Sequence, residues 1–283
     1  MSTDPRATVS PLMRARAVVR THFSEHPSVY LPFARRKYPG PSPEVIGPES
    51  ELVIDGFTRS ATTYAVYALQ LAQQRPVRLA HHLHAPAQLI AAARMQVPAL
   101  ALIREPEGAI LSLVVREPWV DMRDATAAYT RFYRALMPYR DCFVVGEFRD
   151  VTGSFAAVVE RLNARYGLSL DVPELSPDFE RKRVELMRLR PTLWPTLLGF
   201  ESGTVTLAEL EREREQQGDP EQAATDGDLW VPSAARDSSK AALRSRWESA
   251  PMRRLKARAE SAYRGFVGGS QIVNRDPSRT TAR

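Results

Sequence analysis

One stretch constrains the fold of this chain more than any other: Glu51-Leu52-Val53-Ile54-Asp55-Gly56-Phe57-Thr58-Arg59-Ser60-Ala61-Thr62-Thr63-Tyr64. Leu52, Val53 and Ile54 form an apolar strand core. Gly56 gives a turn, a cation and three hydroxyl residues follow, and a helix-like run begins at about residue 61. A buried strand feeding a helix through so short a loop aims the helix's first backbone N–H groups at one spot, and Arg59 adds positive charge there. That is the layout of a cradle for an anion such as phosphate.

The segments that follow alternate in type. Strands are expected at 52–55, 77–80, 99–103 and 143–147; helices at about 61–74, 87–95, 106–116, 123–137 and 153–166, the last stopped by Gly167. Such alternation implies right-handed crossovers and a mostly parallel sheet flanked by helices, an α/β fold in three layers. Ligands of such sheets bind beyond the carboxyl ends of the strands. Arg59, His82 and Arg104 each follow an expected strand end, so one shared pocket is expected.

The loop matches the Walker pattern G-x-x-x-x-G-K-[ST] only in part. Thr62 stands where the Walker lysine belongs and Ala61 where its second glycine belongs. Arg59-Ser60-Ala61-Thr62-Thr63-Tyr64 instead resembles the 5′-phosphosulfate loop, commonly [KR]-S-G-T-T-W, of sulfotransferases that use PAPS (3′-phosphoadenosine 5′-phosphosulfate). The segment Ala99 to Ser112 resembles that family's 3′-phosphate motif, a strand, then R-x-P, then a serine eight residues after the arginine, here Arg104 and Ser112. The family often carries a histidine about twenty residues before this arginine, and His81-His82-Leu83-His84 lies there. The resemblance spans roughly residues 51–167. Ala61, Arg59 and Tyr64 depart from the commoner glycine, lysine and tryptophan.

The resemblance implies a P-loop-like core and transfer of a sulfuryl group from PAPS to a hydroxyl of a small-molecule acceptor, leaving 3′,5′-ADP, with no metal. It puts Arg59 on the 5′-phosphate and the transferring group, Ser60, Ala61, Thr62 and Thr63 around the 5′-phosphate, and the Tyr64 ring on adenine. Arg104 and Ser112 hold the 3′-phosphate, and a histidine takes the acceptor's proton. His82, 22 residues before Arg104, has the better positional match and His84 is the rival. On a strand, residues 82 and 84 share a face while 81 points the other way.

Other readings of the same residues stay open. The histidines could be structural or bind a metal, although no cysteine stands near them. Asp55 is either a base or a turn-capping carboxylate. Phe132, Tyr133 and Tyr139 fall on a helix and read as core. A P-loop kinase or hydrolase would need a loop lysine and a magnesium-binding carboxylate, and only Asp55 offers one. Net charge +6 also raises a basic nucleic-acid-binding protein, but acidic residues are interspersed throughout and no such motif occurs.

The 283 residues divide into an N-terminal arm and helix (1–50, the helix over about 11–22), a PAPS-binding core (51–200) and a charged linker or lid (201–232). A C-terminal helical segment of the same domain (233–268) and a disordered tail (269–283) follow. The proline-rich stretch 39–48 reads as loop. The lone Cys142, the absence of a signal-like N-terminus and the lack of any membrane-length apolar run make a cytoplasmic protein the expectation, with no membrane partner. The acceptor's identity and the oligomeric state are not written in the sequence.

Overall fold

Strands that read as unbroken apolar runs must be covered on both faces. The computed structural model describes residues 19–37, 45–190, 194–218 and 234–268, and in it this condition is met. Strands β1 (Leu52–Gly56), β2 (Leu79–His81), β3 (Ala99–Ile103) and β4 (Val144–Glu147) form one parallel sheet in the order β2-β1-β3-β4. α1 (Pro27–Lys37) precedes the sheet; α2 (Thr62–Ala72), α3 (Pro86–Met95), α4 (Pro106–Arg116) and α5 (Met122–Leu136) run between the strands; α6 (Phe148–Gly153) and α7 (Phe155–Tyr166) follow β4. Then come α8 (Pro177–Leu189), α9 (Pro195–Ser202), α10 (Leu207–Gln217), α11 (Ala234–Trp247) and α12 (Arg253–Gly268).

Alternation along the strands separates two apolar layers. Val53, Ala80, Ala101, Ile103 and Val145 join a cluster with α1, α3, α4, α5, α11 and α12. Leu52, Ile54, Leu100, Leu102 and Val144 face α2, α6 and α7. A smaller cluster packs Leu186, Leu197 and Leu210 from α8, α9 and α10 around Tyr67 on the far side of α2. With cover on two sides, α2 is buried over most of its surface. The first layer's core runs from Tyr30 to Phe266, so the C-terminal helices share it with the sheet.

Local signals explain most boundaries. Pro86 and Pro106 open α3 and α4. Asp121 caps α5 by accepting from Arg123 N and Asp124 N, and Gly167, at φ 65°, ends α7 as expected. The charged run from Glu209 is helix α10, started by a capping box between Thr206 and Glu209 and anchored by the fully buried Leu210. Phe132 and Tyr133 are core residues, whereas Cys142 is exposed. Among the described residues no helix is long and apolar enough to cross a membrane.

Three expectations need correction or delimiting. The second strand ends at His81, not at residue 80, and His82 and His84 then adopt left-handed φ of 58° and 50°. Strand alternation therefore does not decide where they face. The helix expected over about 153–166 is α7, and a further short helix not expected from the sequence, α6, begins directly after β4 and is separated from α7 by Ser154. Of the early helix expected over 11–22, only the turn from residue 19 is described; residues 1–18, 38–44, 191–193, 219–233 and the tail 269–283 lie outside the described residues.

At the end of β1 a side chain on Gly56 would bring Cβ to 2.2 Å from Leu102 O of β3, a backbone atom that cannot turn aside. Gly56→Ala should lower stability by about 1–3 kcal/mol in urea unfolding. Gly153→Ala meets nothing within 4 Å and should be neutral or slightly stabilising.

Candidate functional site

The strand order sets where a ligand can bind. The chain leaves β1 for β2 on one side, while β3 lies on the other and is followed outward by β4. The crevice between the carboxyl ends of β1 and β3 is thus a topological switch point. The loop 57–61 and the Arg104–Glu105 turn form its two lips.

The β1 loop is held from below. Phe57 packs edge-on against Tyr129 and Phe132, with centroids 5.2 and 6.0 Å away. Phe57 N donates to the Tyr133 hydroxyl (3.3 Å), which donates to Leu102 O (2.9 Å). Arg59 and Ala61 both sit at φ 71°, left-handed and costly for residues with a Cβ. This turn delivers the chain into α2 with Ala61 as N-cap and no side-chain cap, so the first amides of α2 lack the usual partner. Ser60 Oγ and Thr62 Oγ1 are buried there. The Tyr133 hydroxyl, which spends its own proton on Leu102 O, lies within interaction range of Ser60 and can accept from it, so Thr62 Oγ1 is the hydroxyl left without a partner.

The opposite lip brings the other expected anion ligands to the same place. Arg59 Nε donates to Ser112 Oγ on α4 (3.0 Å). Arg104 lies over the Phe148 ring at 3.8 Å, donates through Nε to Glu105 Oε1 (3.2 Å), and points Nη1 at Arg59 O, 3.5 Å away. Gly108 makes this possible, since a Cβ there would sit 2.7 Å from Arg104 Nε. Burial depresses the Arg59 guanidinium to about 10, reinforced by Arg236, Arg116 and Arg104 and opposed by Glu117. It remains charged at neutral pH, in a place where cations already repel one another. Arg236 comes from α11, which packs against α4 and brings this cation within electrostatic reach of Arg59; Arg244 of the same helix bonds Glu107 Oε1 of α4 (3.2 Å).

The three histidines flank the β2 side of the loop and differ in what their nitrogens do. His82 Nε2 meets Thr63 Oγ1 (2.9 Å) and its Nδ1 meets His81 Nδ1 (2.6 Å), so both nitrogens are occupied. His84 Nδ1 faces Gly56 O (2.9 Å) and Asp55 Oδ1 (3.4 Å), which leaves Nε2 of a side chain 26% exposed. Burial, then the charges of neighbouring His81, Arg190 and His84, push His82 well below the usual 6.5. Burial lowers His81 to about 3, with Arg190 and His84 adding to the effect. Burial works against charge on His84 too, but Asp55 and the Gly56 carbonyl outweigh it and raise its pKa. Asp55 itself is fully buried and accepts from Gly56 N, His84 N and Gln88 Nε2, the turn-organising role that its position suggests.

His81, His82 and Glu201 offer ligand atoms within 4.8 Å of one another, the geometry of a metal group. Glu201, however, is already met by Arg190 Nε (2.6 Å) and by the Tyr67 hydroxyl, so a metal cation would lie against a guanidinium. Tyr64 has neighbours that the sequence does not reveal. Arg183 of α8 covers its ring at 4.0 Å, and its hydroxyl donates to Glu180 Oε1 (3.0 Å). Adenine can meet this ring only on its other face or after Arg183 moves. Compared with known proteins, the chain matches no protein-family model and no curated sequence.

The buried neutral histidines give the protein an acid-sensitive stability. The folded pKa of His81 is lowered, so the unfolded chain binds the extra proton between pH 6.5 and about 3, and stability is lost as pH falls through that window. His84 acts in the opposite sense, stabilising below pH 6.5 and losing its contribution as pH rises through its raised value. Urea unfolding from pH 7 down to 4 should show His81→Gln with a shallower slope, by up to about one proton, than the parent. Parallel slopes would mean that His81 is not held neutral.

Proposed function

We propose that this protein is a PAPS-dependent sulfotransferase on a P-loop-like α/β core, moving a sulfuryl group from PAPS to a hydroxyl of a small-molecule acceptor. The observation that carries the reading is the buried hydroxyl Thr62 Oγ1, without a partner at the uncapped start of α2 and beside Arg59. An orphaned polar group costs about 1–3 kcal/mol, a cost recovered when an anion with several acceptor oxygens lies on the helix start. A second anion position is supported by Arg104 and Ser112, with Arg236 within electrostatic reach of the same crevice. A nucleotide phosphorylated at both ends of its ribose uses both positions. An ATP-dependent reading lacks its loop lysine, since Thr62 stands there.

In this reading the acceptor oxygen forms a bond to sulfur as the sulfur–oxygen bond to the 5′-phosphate breaks, and the electron pair leaves on the phosphate oxygen. Arg59 and the amides of α2 meet the charge that grows there. His84 is the better base of the two candidates. Asp55 and Gly56 fix its Nδ1 side, and Nε2 is turned away from them to take the acceptor's proton. His82, tied at both nitrogens, fits a positioning role for Thr63 and the loop.

Three outcomes test this reading. Thr62→Val removes an orphaned hydroxyl, so it should leave the ligand-free protein as stable or more stable by about 1 kcal/mol while weakening 3′,5′-ADP binding about tenfold. Thermal shift should also be larger with 3′,5′-ADP than with 5′-AMP, which lacks the second phosphate. Unchanged 3′,5′-ADP affinity in the variant would remove the cradle. For the base, kcat/KM should rise with pH through an apparent pKa above 6.5. His84→Gln should lose roughly 10²–10⁴ in rate together with that pH dependence, and a fully active His84→Gln would reject the assignment.

A further inference from the structure

The acceptor side of the site carries a cation that the transfer chemistry does not use. Ala87 N, in the first turn of α3, donates to Ser24 O (2.8 Å), and Ser24 N donates to Arg20 O (2.9 Å). These bonds tie the helical turn 19–23 to the chain just beyond the histidines and bring Arg20 within electrostatic reach of His84. Arg20 is exposed, and among the described residues no carboxylate bonds it. Its neighbour in the layer, Arg131, is by contrast held by Glu25 and by His22 Nε2 (2.7 Å). On a helix, residues 19, 20 and 23 lie within an arc of about 100°. Val19 and Phe23, 52% and 50% exposed, therefore put apolar surface on the same side as the Arg20 charge.

We propose that the acceptor is a hydroxylated organic anion with an apolar body, its carboxylate held by Arg20 while its hydroxyl faces His84, and that Arg20 sets this specificity. The proposal rests on the transfer reading above. An anionic acceptor must approach a donor that is itself strongly negative, and Arg20 supplies the cation that offsets this repulsion on the acceptor side. The apolar body would lie along Val19 and Phe23.

The test uses the whole chain saturated with 3′,5′-ADP and titrated with 3-hydroxybenzoate, 4-hydroxybenzoate and 4-hydroxyphenylacetate, each beside its methyl ester, with affinities read by calorimetry. Each pair keeps the hydroxyl and the ring and removes only the charge. At least one acid should bind about tenfold more tightly than its ester. Arg20→Gln should bring that acid to the ester's level, Arg20→Lys should restore part of the preference, and 3′,5′-ADP affinity should stay the same in all three proteins. Acids and esters that bind alike, a panel with no binding at millimolar concentration, or an acid preference that survives Arg20→Gln would each overturn the proposal. Acid preference through Arg20 in a protein that fails to bind 3′,5′-ADP would overturn the donor reading and keep Arg20 only as the residue that binds the carboxylate.

Discussion

A carboxylate near the carboxyl end of an apolar strand organises this end of the sheet. Asp55 is fully buried, and a buried charge persists only where hydrogen bonds replace its water. Its partners come from three directions: Gly56 N at the start of the β1 loop, His84 N in the turn after β2, and Gln88 Nε2 on α3. Gln88 Oε1 in turn accepts from Ile46 N, ahead of β1 (3.0 Å). One side chain thus fixes where the loop departs, how the histidine turn lies against it, and how α3 begins. Without Asp55 the His84 amide would be a buried orphan, and the relation between loop and histidine would be lost.

The two sides of the β1 loop are electrostatically unlike, and the division of labour follows from that. Towards β3, Arg59, Arg104, Arg116 and Arg236 share a crevice in which burial, reinforced by the other three cations, depresses the pKa of Arg59. The crevice gains most from multiple negative charge. Towards β2, burial keeps His81 and His82 neutral, and only His84, backed by a carboxylate, holds a proton readily. A phosphate donor on one side and a hydroxyl to be deprotonated on the other is the pairing that this asymmetry suits.

Much of this is legible in the sequence because it is local. Arg59 follows β1, and Arg104 and Ser112 follow β3, at short range, so strand alternation alone predicts that parallel pairing brings them to one end of the sheet. The histidines are less legible: their roles turn on where β2 ends and on two left-handed residues, which a single-residue error in a strand boundary conceals. Long-range partners are not legible at all. Glu180 stands 116 residues from Tyr64, and Glu201 stands 134 residues from Tyr67. No periodicity links such positions; they meet because α8 and α9 pack on the outer side of α2. Arg236 belongs with these, since its basic segment reads equally well as a solvated face until α11 is seen against α4.

The central claim is that the start of α2 and the Arg104–Ser112 pair are two halves of one bisphosphate site. A crystal structure of the protein with 3′,5′-ADP tests it most directly. The account predicts the 5′-phosphate on the first amides of α2, bonded to Ser60 Oγ and Thr62 Oγ1, and the 3′-phosphate between Arg104 and Ser112. A nucleotide seated away from the β1–β3 crevice, or one whose phosphates leave Thr62 unpartnered, would contradict it.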